Sequence, residues 1–359
     1  MWNVLAKMLY RRPSTHVGLD ISSCSVKIAE VANRKGVFVL NQIGVADIPE
    51  SIVQENGFAD KVELGALIRN LMGASGITCR EVTAGLGGRN VFSRELSMPK
   101  MEEQEMKEAL KWDIGQYVPF PPDTYYYDFA VLGPNDGGTE VKVLVVAAPR
   151  ENVDYLREVC RIAELNLQAV DFEALALKRT LAAQENIMIV DIGTEVCQVV
   201  VYRDSCPALV RTIPIGGRQF TGIVMDVLNL TFGEAEAFKV KERNLLPQLK
   251  ESEEEIPELQ QQIKILADEL GREIRRTLEY YQMQNSQGKI TPIYLTGGGA
   301  LIDRLTIAVN THIHIPVVKH DPFTHFRTAV YYDQQYIDDV DSRLAIAVGL
   351  GMRGVRNGN

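Results

Sequence analysis

The chain has 359 residues, 46% hydrophobic and 24% charged, with 38 Lys and Arg against 47 Asp and Glu and a net charge of -9. That length accommodates two or more domain cores, the composition is that of an ordinary globular protein, and the acidic balance argues against a nucleic-acid partner, because phosphate binding needs a basic surface. No apolar run approaches the roughly 18–20 residues that cross a bilayer, and the five scattered cysteines form no CxxC pair and have no His at metal-ligand spacing. A reducing, cytoplasmic setting without a structural metal is the expectation.

In chain order, residues 1–12 predict a short amphipathic helix with Trp2, Leu5, Met8 and Leu9 on one face, ended by Pro13. Such a helix docks on its own protein or touches a membrane or partner. From His16, "HVGLDIS", "SVKIAEVAN" and "GVFVLNQIGVADI" predict three strands joined by tight turns at 22–24 and 34–36. A helix, "FADKVELGALIRNLMGASG", and a strand, "EVTAGLGG", follow. The stretch from 89 to about 160 has another texture. The strand "VFSRELSMP" and the charged helix "EEQEMKEALKWDIGQYV" precede a proline cluster and the strands "TYYYDFAVL" and "EVKVLVVAAP". The helix "ENVDYLREVCRIAEL" closes what reads as a small inserted α/β module.

The second half repeats the opening. "NIMIVDIG", "EVCQVVVYRD" and "CPALVRTIPIGG" are again three strands in hairpin order with an Asp in the first turn, an internal repeat of pattern. A long, mostly polar helical region runs over 217–285, including the acidic run "KESEEEIPE". The segment "ITPIYLTGGGALIDRLTIAVNTHI" then reads strand, glycine turn, helix, and "SRLAIAVGLGMRG" closes the chain as a small-residue apolar helix.

An Asp and a Gly in one hairpin turn need no function, since both are good turn formers. Two such turns facing each other have a chemical use. Their backbone N–H groups and hydroxyls can take a polyphosphate from both sides, and Asp20 and Asp191 can hold a hydrated Mg²⁺ between them. The glycines Gly297, Gly298 and Gly299 let a purine and its ribose lie close to the backbone.

Five segments in order resemble the actin-like ATPase superfamily: "GLDISSCSVKIAEV" its first phosphate loop, "VDFEALALKRTL" its first connecting helix, and "VDIGTEVCQVVVY" its second phosphate loop. "YLTGGGALIDRL" resembles its adenosine motif and "AIAVGLGMRG" its second connecting helix. Within it, "PIGGRQFTGIVMDVLNLTFGEAEAFK" is similar to the FtsA/PilM branch, and "SMPKMEEQEMKEALKWDIGQYVPFPPDTYYYDF" most resembles the PilM family of type IV pilus assembly. The resemblance implies an α/β, actin-like (ribonuclease H-like) two-lobe ATPase fold with an inserted FtsA/PilM-type subdomain. One lobe (subdomain 1A) would take 14–88, 165–186 and 343–359, and the inserted 1C-like subdomain 89–164. The other lobe (2A) would take 187–225 and 287–342, with a 2B subdomain over 226–286.

The same resemblance implies an ATP site. Ser22, Ser23, Ser25 and Lys27 fall in its first phosphate loop, where the family more often has Gly at the position of Ser22, and Gly193 and Thr194 fall in the second. Gly216 and Gly217 open a helix whose N-terminus favours anionic oxygens, Glu236 and Lys239 match the ribose and base pattern "AExxK", and Gly297 to Gly299 line the adenosine. The water-orienting acid is Asp171, with Glu173 the alternative, or an efficient base is lacking. The family role would be an ATP-binding scaffold with at most weak ATPase activity. It would bind the cytoplasmic N-terminal tail of PilN in a groove beside "RNVFSRELSMP" and the helix at 151–165. It would link that complex to the pilus motor ATPases at the inner face of the cytoplasmic membrane. An FtsA-like polymer, with self-association, and a sugar kinase of the same superfamily are the alternatives.

Overall fold

The computed structural model describes residues 15–355 apart from 54–58, 89–90, 135–137, 182–185, 248–256, 286–288, 325 and 329–331; the helix expected over residues 1–13 lies outside them. Strands β1 (Thr15–Ile21), β2 (Ser25–Arg34) and β3 (Val37–Asp47) form the expected antiparallel meander. Lys35 and Gly36 both take positive φ between β2 and β3, the left-handed pair whose twist matches that of the flanking strands. Helix α1 (Lys61–Ala74) is capped by Asp60, whose carboxylate accepts from the N–H groups of Val62 and Glu63. It buries Leu64, Ile68, Leu71 and Met72, an i, i+4, i+7, i+8 stripe, on the meander. Strand β4 (Glu81–Leu86) then pairs in parallel with β1.

The inserted module is a three-stranded sheet, β5 (Phe92–Pro99), β7 (Glu140–Pro149) and β6 (Tyr125–Pro134) in that order, covered by α2 (Glu103–Tyr117). Met106, Leu110 and Ile114 of α2 pack against Leu96, Val143 and Val145. Helix α3 (Arg150–Ile162), expected with this module, instead sends Tyr155, Leu156, Val159 and Cys160 into the core shared with Leu64 and Ile68 of α1. Its apolar stripe faces the first sheet, so the insertion's own core closes near Pro149.

Strand β8 (Asn166–Phe172), which the sequence reading left without an element, pairs in parallel with β4, and β14 (Arg327–Thr328) pairs with β3. The first sheet therefore has the order β14-β3-β2-β1-β4-β8. The tail of the segment expected in the second lobe thus returns to the first. The second sheet repeats the meander as β9 (Ile187–Ile192), β10 (Cys197–Arg203) and β11 (Cys206–Ile213) and adds β12 (Ile293–Thr296) and β13 (Val317–Lys319), in the order β11-β10-β9-β12-β13. The long helical region is three helices, α5 (Gly217–Leu228), α6 (Phe232–Lys241) and α7 (Glu258–Gln284), and α8 (Leu305–Ile313) and α9 (Gln334–Val340) follow. Asn229 closes α5 in the left-handed conformation, and Thr231 and Glu234 form a capping box on α6.

Two helices join the sheets: α4 (Glu173–Thr180), which follows β8 directly, and α10 (Ala345–Gly354) at the end of the described chain. They approach through glycines. A Cβ on Gly349 would overlap the Ala176 carbonyl, and one on Gly18 of β1 would overlap the Ala347 carbonyl oxygen of α10. Beside this crossing the buried Asp171 carboxylate accepts from Arg179 of α4 at 2.6 Å and Arg353 of α10 at 2.5 Å. Arg179 also donates to the Gly349 carbonyl oxygen at 3.3 Å. Among the described residues no helix is long and apolar enough to cross a membrane.

Because the Gly18 contact is to helix backbone that cannot rotate away, Gly18→Ala is expected to lower unfolding stability by on the order of 3 kcal/mol, measured by chemical denaturation. Gly36→Ala, with open space around it, is expected to cost less than half of that.

Candidate functional site

The ends of β1 and β9 bring the two copies of the repeat together. Asp20 and Asp191 are not turn residues as expected; each is the penultimate residue of its strand and belongs to the ladder, Asp20 opposite Lys27 and Asp191 opposite Gln198. The hydrogen-bonded register carries each strand one residue further before the chain turns. Directly opposed side chains lie on the same face, and in the first copy this makes an ion pair. Lys27 Nζ donates to Asp20 Oδ2 at 3.0 Å and to Ser22 Oγ at 3.1 Å, with all of Lys27 but 8% buried. Ser22 also donates from its hydroxyl to the Ser25 carbonyl at 3.0 Å, closing the first turn, and Ser23 is exposed.

The second turn is closed by Gly193 N–H donating to the Val196 carbonyl at 3.0 Å. The two turns touch where Cys24 Sγ lies 2.7 Å from Thr194 Oγ1. Cys24 was not singled out in the sequence; only its place between Ser23 and Ser25 in the turn marked it.

Gly216 and Gly217 were expected to offer a helix N-terminus to anionic oxygens. Here the Gly217 and Arg218 N–H groups donate to the Gly193 and Thr194 carbonyls at 2.9 and 2.8 Å, and the Gly216 N–H to Gln219 Oε1 at 2.5 Å. Two donors of the first turn of α5 are thus satisfied by the phosphate-loop candidate itself and the Gly216 N–H by Gln219, and the glycines serve close approach: a Cβ on Gly216 would sit 2.6 Å from the Glu195 carbonyl carbon. Glu236 and Lys239 pair at 2.7 Å, and Lys239 also donates to Thr221 Oγ1 at 2.8 Å and to the Gly217 carbonyl at 3.2 Å. The pair is therefore tied to the start of α5 and not free on a helix surface.

Gly297 takes φ +81°, and a Cβ there would collide with the Asp191 carboxylate and the Ile192 backbone. Gly299 is pressed on Ile192, whereas the nearest atom to a Cβ on Gly298 would be Arg343 Cγ at 3.9 Å, so this loop has one open face.

Of the two acids at the first connecting helix, Asp171 is paired with Arg179 and Arg353. Glu173, at the first position of α4, lies against Gly87 and feels the charges of Asp20 and Asp191. Desolvation, then repulsion from Asp20 and Asp191, pushes the Glu173 carboxyl up to about 8. Desolvation, then Asp20, pushes Asp191 up to about 6. Both retain some accessible surface despite being surrounded by protein, the signature of a recess. Among the described residues no hydrogen bond or ion pair reaches either carboxylate, and no three His, Cys, Asp or Glu side chains converge at metal-ligating distance. The donor set fits a Mg²⁺ that keeps its waters, not one stripped by direct protein ligands.

Residues 18–355 match the family model described as type IV pilus assembly protein PilM. The structure of a PilM-PilN type IV pilus biogenesis complex aligns with 25% sequence identity and a TM-score of 0.81, covering 96% of this chain and 100% of that one. The ethanolamine utilization protein EutJ from Carboxydothermus hydrogenoformans aligns at 13% identity and TM-score 0.57 over 96% of this chain and 91% of that one. An MreB of Spiroplasma citri bound to AMPPNP aligns at 11% and 0.52, covering 94% of this chain and 95% of that one. These likenesses give the actin-like two-lobe fold that the five sequence segments implied.

A carboxyl raised on folding contributes stability that is complete below its unfolded value and lost as pH rises through its folded one. For Glu173, moving from 4.5 to about 8, that loss runs through the neutral range. The nucleotide-free chain is expected to gain on the order of 2 kcal/mol from pH 8 to pH 6 relative to Glu173→Gln, followed by denaturant titration at each pH. Buried His16, lowered to about 4, works in the opposite direction as pH falls below 6.5 in both proteins and cancels in the difference, which reports Glu173 together with its coupling to Asp191.

Proposed function

We infer that this chain, which belongs to the PilM family of type IV pilus assembly proteins, is an ATP-binding scaffold that holds the N-terminal tail of PilN. The observation that carries the reading is the PilM-PilN complex, which aligns with 96% of this chain. ATP lies between the two turns, with Ser22, Ser23, Ser25, Lys27, Gly193 and Thr194 toward the phosphates. Glu236, Lys239 and Gly297 to Gly299 lie toward the ribose and base, and Gly216 and Gly217 support the second turn. Asp20 and Asp191 face the hydrated Mg²⁺, which neutralises phosphate charge when bound. Glu173 is the group that orients water.

The tail seats along the seam between α3 and the insertion. Tyr126, on the outer strand β6 and 38% exposed, lies beneath Arg150 and Arg157 at 5.0 and 6.0 Å, with its hydroxyl 3.3 Å from Asp154. An extended tail can add to the free edge of β6 by backbone pairing, its side chains reading this aromatic and charged cluster. The other flank of the insertion faces the second sheet: Arg203 at the end of β10 donates to both Glu95 oxygens at 2.9 and 3.1 Å and to Asn285 Oδ1 at 2.7 Å. Strand β10 starts beside the second phosphate turn, so a nucleotide-driven shift of that strand is handed to the insertion through this one ion pair. On this reading the scaffold works at the inner face of the cytoplasmic membrane, between PilN and the motor ATPases.

Titrating a labelled synthetic PilN tail peptide by fluorescence anisotropy, with and without Mg-ATP, tests both halves. Tyr126→Ala is expected to weaken the peptide about 10-fold, as loss of a buried aromatic contact does. Arg203→Ala is expected to keep peptide binding but remove its response to Mg-ATP. An unaltered response in Arg203→Ala discards the coupling, and a peptide that binds Tyr126→Ala as well as wild type discards the seam.

A further inference from the structure

The two copies of the repeat differ at one ladder position. In the first, the residue opposite the acid is Lys27, and its ammonium neutralises Asp20 at 3.0 Å. In the second, the residue opposite the acid is Gln198, which supplies no charge. Gln198 is 4% exposed, and among the described residues neither its amide oxygen nor its amide nitrogen has a hydrogen-bond partner. An unmet buried amide is costly and is rare unless something fills it.

Its direction follows from the strand. Val200 and Tyr202, on the same face of β10, pack on Ala174 and Leu177 of α4, and the Tyr202 hydroxyl donates to the Ala174 carbonyl at 2.5 Å. Gln198 continues that face toward the start of α4, where Glu173 stands, on the side of the sheet shared with Asp191.

We propose that Gln198 joins Asp191 in holding the water shell of a divalent cation between the two turns. The Gln198 amide oxygen accepts from a metal-bound water while the Asp191 carboxylate supplies the charge. This assignment rests on the nucleotide reading, and it adds to the pair of acids proposed there a neutral partner on the second strand.

The symmetry supplies the test. Gln198→Lys copies the ladder pair of the first repeat into the second, and Gln198→Leu removes the amide without adding charge. The full chain is titrated with Mn²⁺ in the presence of ADP, bound metal being read by electron paramagnetic resonance, and each variant is melted without metal. The expected result is that Gln198→Lys binds Mn²⁺ at least about 10-fold more weakly while melting at or above the wild-type temperature, because the new ammonium meets Asp191. Gln198→Leu is expected to lose about threefold or more in Mn²⁺ affinity without loss of thermal stability. Mn²⁺ binding by Gln198→Lys equal to wild type overturns the proposal. Destabilisation of Gln198→Leu with unchanged Mn²⁺ affinity also overturns it, since the amide then serves only the fold. Nucleotide binding, followed with a fluorescent ADP analogue in Mg²⁺ and in EDTA, separates the two readings: no binding by wild type in either defeats the nucleotide site itself, whereas binding with a metal response that Gln198 does not alter defeats this inference alone.

Discussion

Negative charge concentrated where the central strands of two sheets end is the constraint around which this molecule is arranged. Asp20, Glu173 and Asp191 each sense at least one of the others, and only Asp20 has an ammonium beside it. Water screens such a cluster poorly because the surrounding strands and helices displace it. Close glycine contacts set the geometry of that enclosure: Gly87 against Glu173, and Gly297 against Asp191. Charge that folding leaves uncompensated is charge a cationic ligand can compensate, so a cost to the empty protein becomes affinity for what fills it.

Much of the fold was legible because its signals are local. Both meanders announce themselves by apolar runs separated by short turns, and the repeated order exposes the kinship of the two sheets. The breaks inside 217–285 were also written in the sequence, as Asn229 and the Thr231/Glu234 pair, but a reading by polarity alone passes over caps. Strand β8 was hidden for a different reason. Asn166 and Gln168 interrupt its apolar residues, as suits a strand at the sheet's edge. The allegiance of α3 was not local at all. Its stripe of Tyr155, Leu156, Val159 and Cys160 shows that it buries a face, and only tertiary packing shows which partner receives it.

The candidate site was legible in the same uneven way. Residues fixed by backbone need, such as Gly297 with its positive φ, stand out in a sequence. Residues whose meaning lies in a cross-strand partner do not. Gln198 becomes informative only when aligned with Lys27 through the ladder, and the ion pairing of Asp171 shows only when Arg353, 182 residues away, closes on it. The choice between Asp171 and Glu173 was undecidable from spacing, because neighbouring residues at a strand-to-helix junction point in different directions.

The crossing of α4 and α10 has a mechanical consequence. Backbone meets backbone there without a side chain between, and Asp171 fastens both helices at the same place. A joint so tight tolerates swivelling but not sliding, like the rivet of a pair of shears. Displacement then grows with radius from the rivet, so a small twist at the crossing becomes a large excursion at the outermost rim of the molecule.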